Sequence, residues 1–174
     1  GVWSERGSAN QSGRIVTADV DIDAGVVYAA SGGGNIWRGN IDGTGWQSLT
    51  DTMNIDNITM LRIVPHYAGK RIVVVGHTPA AVYVSDDDGA SWQRSEGLGK
   101  NAALGGWKRG LVLDDSARTI YLLGNELDLT RGESITVIYR SRNGGDSFEM
   151  VAHFDLARKF MDIWAPRYGG DEIY

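Results

Sequence analysis

Short apolar segments return in the same order along this chain, at a period of roughly 45 to 55 residues. GVVYAAS (25–31) is followed one period later by KRIVVVG (70–76), then by RTIYLLG (118–124) and the shorter DEIY (171–174). A second series trails the first: NIWRG (35–39), AVYVS (81–85) and VIYRS (137–141). A third closes each unit: GWQSL (45–49), SWQRS (91–95) and SFEMV (147–151). An apolar segment precedes each unit as well: RIVTADVDI, MLRIVPHY, KRGLVLD and FMDIWAP. The segments are rich in β-branched residues, bounded by Gly, Asp or Asn, and lack helical periodicity, so they read as strands. Four strands per unit at this period predict an all-β chain folded as a β-propeller of four-stranded antiparallel blades. One such blade cannot bury both faces, whereas blades stacked around an axis bury each other. The expected blades are 13–50, 57–96 and 107–152, with a half blade over 159–174. About three and a half blades make part of a ring, expected to close with further blades or with a second copy.

Composition narrows the function. The 174 residues suit a single domain. The chain has no cysteine, which rules out disulfides, cysteine metal sites and thiol catalysis. A formal net charge of −5 gives nucleic acid no basic surface to meet. No apolar run is long enough for a membrane-spanning helix. Twenty-four glycines, three prolines and six tryptophans fit many short strands, many turns and large aromatic anchors.

One stretch looks like chemistry. SDDDGASW (85–92) puts three aspartates in a row, and its counterpart in the third unit is SRNGGDSF (141–148). Both follow Ser-x-Asp/Asn-x-Gly-x-x-Trp/Phe, through Ser85, Asp87, Gly89 and Trp92, and through Ser141, Asn143, Gly145 and Phe148. In the first unit only Gly43 and Trp46 match. An Asp or Asn side chain hydrogen-bonds the backbone of its own turn, and Gly takes a positive φ, so a structural hairpin is the expectation for Asp86, Asp87 and Asp88. The alternative is a surface calcium site, because three adjacent acids offer oxygen ligands. No other metal and no organic cofactor is expected.

These motifs resemble the Asp-box, or BNR repeat, of sialidases, xyloglucan-cleaving glycosidases, sortilin-type receptor propellers and photosystem assembly factors. The opening WSERGSANQSGRI with VVYAASGGGNIWRG is similar to the first blade of secreted bacterial proteins of the sortilin-like and BNR-repeat glycosyl-hydrolase-like kind. The resemblance implies that the box is rim structure and that function sits at one end of a central channel. The loops at that face are then SGGGN (31–35), HTPA (77–80) and NELDLTRGES (125–134), with 50–57, 97–108 and 154–159 between blades. It also implies a secreted, periplasmic or cell-envelope location.

Several residues are candidates for the site. NELDLTRGES carries Glu126, Asp128, Arg131 and Glu133, and reads as a functional loop or as a solvated charged one. Glu126 and Asp128 are the catalytic candidates, Arg131 a ligand-binding one. Trp107, Lys108 and Arg109 could stack on and hydrogen-bond a sugar, or pack between blades. Arg62 and Arg109 hold matching inner-strand positions, with Asp162 in the fourth unit, and read as ligand contacts or as channel lining. Arg14 reads as orienting the chain's entry into the first inner strand. His66, His77 and His153 have no metal spacing and read as surface or turn residues.

Two functions compete. Glycoside hydrolysis needs two carboxylates flanking the scissile bond. Xyloglucan-cleaving relatives of the resemblance carry an aspartate where this chain has Ser31 and Gly32, and Arg14-Ile15-Val16 only partly matches a sialidase opening. The expectation is therefore a non-catalytic propeller that binds a glycan or a protein segment, with a glycoside hydrolase as the alternative.

Overall fold

The computed structural model describes residues 14–50, 55–67, 69–77, 80–104, 110–113, 118–155, 162–165 and 173. Among them there is no helix. The first sheet runs in chain order through β1 (Ile15–Asp21), β2 (Val26–Ser31), β3 (Ile36–Asn40) and β4 (Gln47–Ser48). The second runs through β5 (Ile58–His66), β6 (Gly69–Gly76), β7 (Ala81–Ser85) and β8 (Gln93–Arg94). The short β9 (Ala102–Ala103) then pairs with β11 of the third sheet, whose main path is β10 (Gly110–Val112), β11 (Ile120–Asp128), β12 (Glu133–Ser141) and β13 (Glu149–Phe154). All pairings within the sheets are antiparallel and none of the three sheets closes on itself.

The sheets stack face to face, and strand alternation explains how. In β6, Ile72 and Val74 join Val26, Tyr28, Ala30 and Ile36 in the core between the first and second sheets. Val73 and Val75, one residue out of phase, join Ile120, Leu122, Val137 and Tyr139 in the core between the second and third. In β11 the alternates Tyr121 and Leu123 pack with Ile163 on the far face of the third sheet. A strand buried on both faces must be apolar at every position, which is why VVV stands unbroken in β6.

The leading strands lie side by side, β1 beside β5 and β5 beside β10. Side chains cap the exposed edge of β5: Leu61 N–H donates to Thr17 Oγ1 at 3.2 Å and Ile63 N–H to Asp19 Oδ2 at 2.8 Å. The two amides, at an edge that β1 already flanks, thus keep partners without a strand ladder.

The structure differs from the sequence expectation in the third unit. Residues 125–134, expected as a long loop, mostly extend the β11–β12 hairpin, with Asn125 opposite Thr136 and Asp128 opposite Glu133. Asp128 closes the tight turn by accepting the Gly132 amide at 2.7 Å through its carbonyl. Of the expected half blade over 159–174, only 162–165 and 173 are described, and none of these residues is in a strand.

Candidate functional site

The aspartate stretch resolves residue by residue. Ser85 Oγ accepts the Gly89 amide at 2.8 Å and contacts Asp87 Oδ1 at 2.8 Å. Asp87 Oδ1 also accepts the Ser91 amide at 2.8 Å, and its Oδ2 accepts the Ser91 hydroxyl. The third sheet repeats this circuit: Ser141 Oγ accepts the Gly145 amide at 2.9 Å, and Asn143 Oδ1 accepts the Ser147 amide at 3.1 Å. Gly89 and Gly145 have φ of 88° and 100°, a region in which a side chain is strained. In the first sheet Gly39 replaces the serine, and the Trp46 ring lies where a serine Cβ would be, 2.6 Å from that point. That turn is held instead by Asp42 Oδ1, which accepts the Thr44 amide at 2.9 Å.

Each of the two complete turns is docked on the sheet before it. Trp92 Nε1 donates to Leu49 O at 3.1 Å, at the end of the first sheet. Phe148 is buried, its amide donates to Glu96 O at 2.9 Å, and Glu96 N–H donates to Asp146 O at 3.0 Å, at the end of the second.

The two flanking acids serve a different end. Asp86 takes a two-pronged bond from Arg71, Nε at 2.6 Å and Nη2 at 2.7 Å. Arg71 is only 3% exposed and spends Nη1 on Asp146, 2.6 Å away across the joint with the third sheet. The Arg71 hydrogen bonds hold the Asp86 carboxyl below the ordinary range, and the Ser91 hydroxyl does the same for Asp87. Asp88 turns the other way, accepting the Tyr28 hydroxyl and lying 2.7 Å from Arg38 Nε, both in the first sheet. Burial first, then this contact, pushes the Tyr28 hydroxyl up to about 12. Among the described residues no three His, Asp or Glu side chains converge to hold a metal ion. Asp87 therefore frames the turn, Asp88 clips the second sheet to the first, and Asp86 holds Arg71 within the second sheet, where Arg71 itself reaches Asp146 of the third.

A cleft of about 590 Å³ lies at the opposite end of these strands, where β2 leads to β3 and β6 to β7. Its walls include Arg14, Gly32, Gly33, Asn57, Thr59 and His77. Backbone bonds tie the wall together: His77 N–H donates to Asn57 O at 3.0 Å, and Leu104 N–H to His77 O at 3.2 Å. The Thr59 hydroxyl reaches Val75 O and Leu104 O, each at 3.3 Å. His77 Nδ1 is buried and without a hydrogen-bond partner. No carboxylate lies among the described lining residues. The cleft thus offers a cation, an amide, an imidazole and glycine backbone to a hydrogen-bonding ligand.

Gly32 and Gly33 of the loop 31–35 meet His77 here, as do Asn57 and the entry residue Arg14. Thr59 was not a sequence candidate; it lies at the register shift between Ile58 and Met60, and nothing in its residue type marks it. The other candidates lie elsewhere. Glu126 accepts the Tyr139 hydroxyl at 2.8 Å, and burial followed by that carboxylate pushes the hydroxyl up to about 12. Asp128 accepts the Thr130 amide at 2.8 Å, which holds its carboxyl low. Arg131 is exposed and bonded to Asp155 at 3.1 Å. Arg62 donates to Leu61 O at 2.7 Å, with Thr17 Oγ1 at 3.4 Å. Trp107, Lys108 and Arg109 lie outside the described residues. His66 is buried between sheets, unlike the surface or turn position expected of it.

Compared with family models, with curated proteins and with solved structures, the chain gives no match.

Proposed function

We propose that the three sheets are consecutive blades of a β-propeller, with β1, β5 and β10 along its axis, and that the chain is a non-catalytic binding module. Its ligand, a glycan or a protein segment, enters the cleft lined by Arg14, Gly32, Gly33, Asn57, Thr59 and His77. The repeated leading-to-outer strand order and the face-to-face stacking support the ring. The observation that carries the binding reading is the cleft itself, an open cavity with both polar and apolar lining where the turn after β2 meets Asn57 and His77 of the second sheet. A secreted or periplasmic setting belongs to the same proposal and rests on the Asp-box resemblance.

Glycoside hydrolysis is the weaker alternative. It asks for two carboxylates flanking one bond. Glu126 and Asp128 are engaged with Tyr139 and with the 128–132 turn, and neither lines the cleft.

A panel of soluble polysaccharides and extended peptides, titrated into the chain by calorimetry beside Asn57→Ala and His77→Ala, tests the reading. Saturable binding weakened roughly tenfold or more by either substitution is expected, about 1.4 kcal/mol. Binding indifferent to both, or specific release of sugar from xyloglucan or an aryl-glycoside, overturns it.

A further inference from the structure

We propose that His66 is an acid-released latch between the second and third sheets, neutral while the joint is closed and protonated when it opens. His66 ends β5 and is 7% exposed. Its Nδ1 lies 3.1 Å from Arg118 Nη1. A guanidinium only donates, so Nδ1 accepts and the neutral ring carries its proton on Nε2. Nε2 faces Asp86 Oδ1 at 3.8 Å, beyond hydrogen-bond reach. A protonated imidazole has two donors and no acceptor. It loses the Arg118 bond and sets one cation against another.

The neighbouring charges give the extra proton no free partner. Arg71 approaches from β6, Asp86 from the turn after β7, Arg118 from the entry to β11 and Asp146 from the turn after β12. Both carboxylates are already bonded to Arg71. Tyr67 meets the ring edge-on with centroids 4.3 Å apart, and Arg118 lies over the Tyr67 ring at 4.6 Å. Two cations and two anions therefore balance only while His66 is neutral. Burial, then the Arg71 charge, lowers the imidazole from its ordinary value. The sign follows from linkage. The folded ring resists protonation and the released ring does not, so the latch holds fully above about pH 6.5 and loosens as pH falls below it. One proton changes the opening equilibrium by up to about tenfold per pH unit in that window.

The latch needs no ligand, so it is tested on the chain alone. Hydrogen exchange at the Glu96 and Phe148 amides, which cross this joint, reports its opening. After correction for intrinsic exchange, protection is expected to fall by up to about tenfold per unit below about pH 6.5. In His66→Gln, whose side-chain carbonyl accepts from Arg118 without titrating, protection stays level. Should that variant fail to fold, His66→Asn removes the titrating ring in a smaller side chain and flattens the same slope. Level protection in the native chain, or an unchanged slope in whichever variant folds, overturns the latch.

Discussion

At the scale of the residue, the three consecutive aspartates point three ways. Asp87 turns inward to its own hairpin, Asp86 to Arg71 and Asp88 to Arg38. Only the first role was readable in the sequence, because Ser85, Asp87 and Gly89 recur at fixed spacing in Ser141, Asn143 and Gly145. The partners of Asp86 and Asp88 lie 15 and 50 residues away in the chain, and no local pattern ties an acid to an arginine so far off. The two circuits also set a test. Asn143 does in the third sheet what Asp87 does in the second, accepting an amide four residues on through its Oδ1. Asp87→Asn, which keeps the accepting oxygen, should therefore change stability by less than about 0.5 kcal/mol. Asp87→Ala, which leaves the Ser91 amide without its acceptor, should cost about 1 to 2 kcal/mol. Urea unfolding of the two variants decides, and equal losses would mean that the carboxylate charge matters and the turn bond does not.

At the scale of the element, strands were easier to place than the segments between them. Unbroken β-branched runs such as VVV in β6 mark a strand buried on both faces. The charges of residues 125–134 resemble a solvated loop, yet in the hairpin Glu126 and Asp128 are half-buried, bonded to Tyr139 and to the turn, and Leu127 between them is exposed. The segment after β8 was equally unreadable. Gly97 there has φ of 84°, and a Cβ added to it would stand 1.9 Å from Phe148 O. The chain passes so close because Glu96 forms a parallel bridge with Ser147. Gly97→Ala therefore meets positive-φ strain and a backbone clash together, and should cost about 2 to 4 kcal/mol. The damage should be local: exchange at the Phe148 amide rises while the Leu49 end of the first sheet stays protected. Uniform loss of protection would mean that the three sheets unfold as one unit and that this joint has no separate stability.

At the scale of the whole molecule, the repeat order announced the stack and marked Gly32, Gly33, Asn57 and His77 as strand-connecting residues, which do line the cleft; Thr59 lines it too and nothing in the pattern pointed to it. The stack itself is unevenly covered. Both faces of the second sheet are buried, and the far face of the third meets Ile163. Among the described residues the far face of the first sheet is not matched in this way, although Ala29 on it is buried. Val20 pairs with Val27, and Ala18 with Ala29, which pairs on with Trp37; all are out of phase with the residues packed on the second sheet. Val20 is 42% exposed. An apolar sheet face of this kind is stable in water only when something lies on it. In the proposed ring that cover is the next blade, whether from more chain or from a second copy. The chain alone should then associate, with light scattering giving a mass above 18.9 kDa at micromolar concentration. Val20→Lys, on the β1 edge of that face, should shift the mass back to that of one chain while leaving the inter-sheet cores intact. A native chain that stays monomeric and binds no hydrophobic dye would show that the face is stable uncovered. The physical reason for closing a ring would then be gone, and the sheets would stand as an open stack of three.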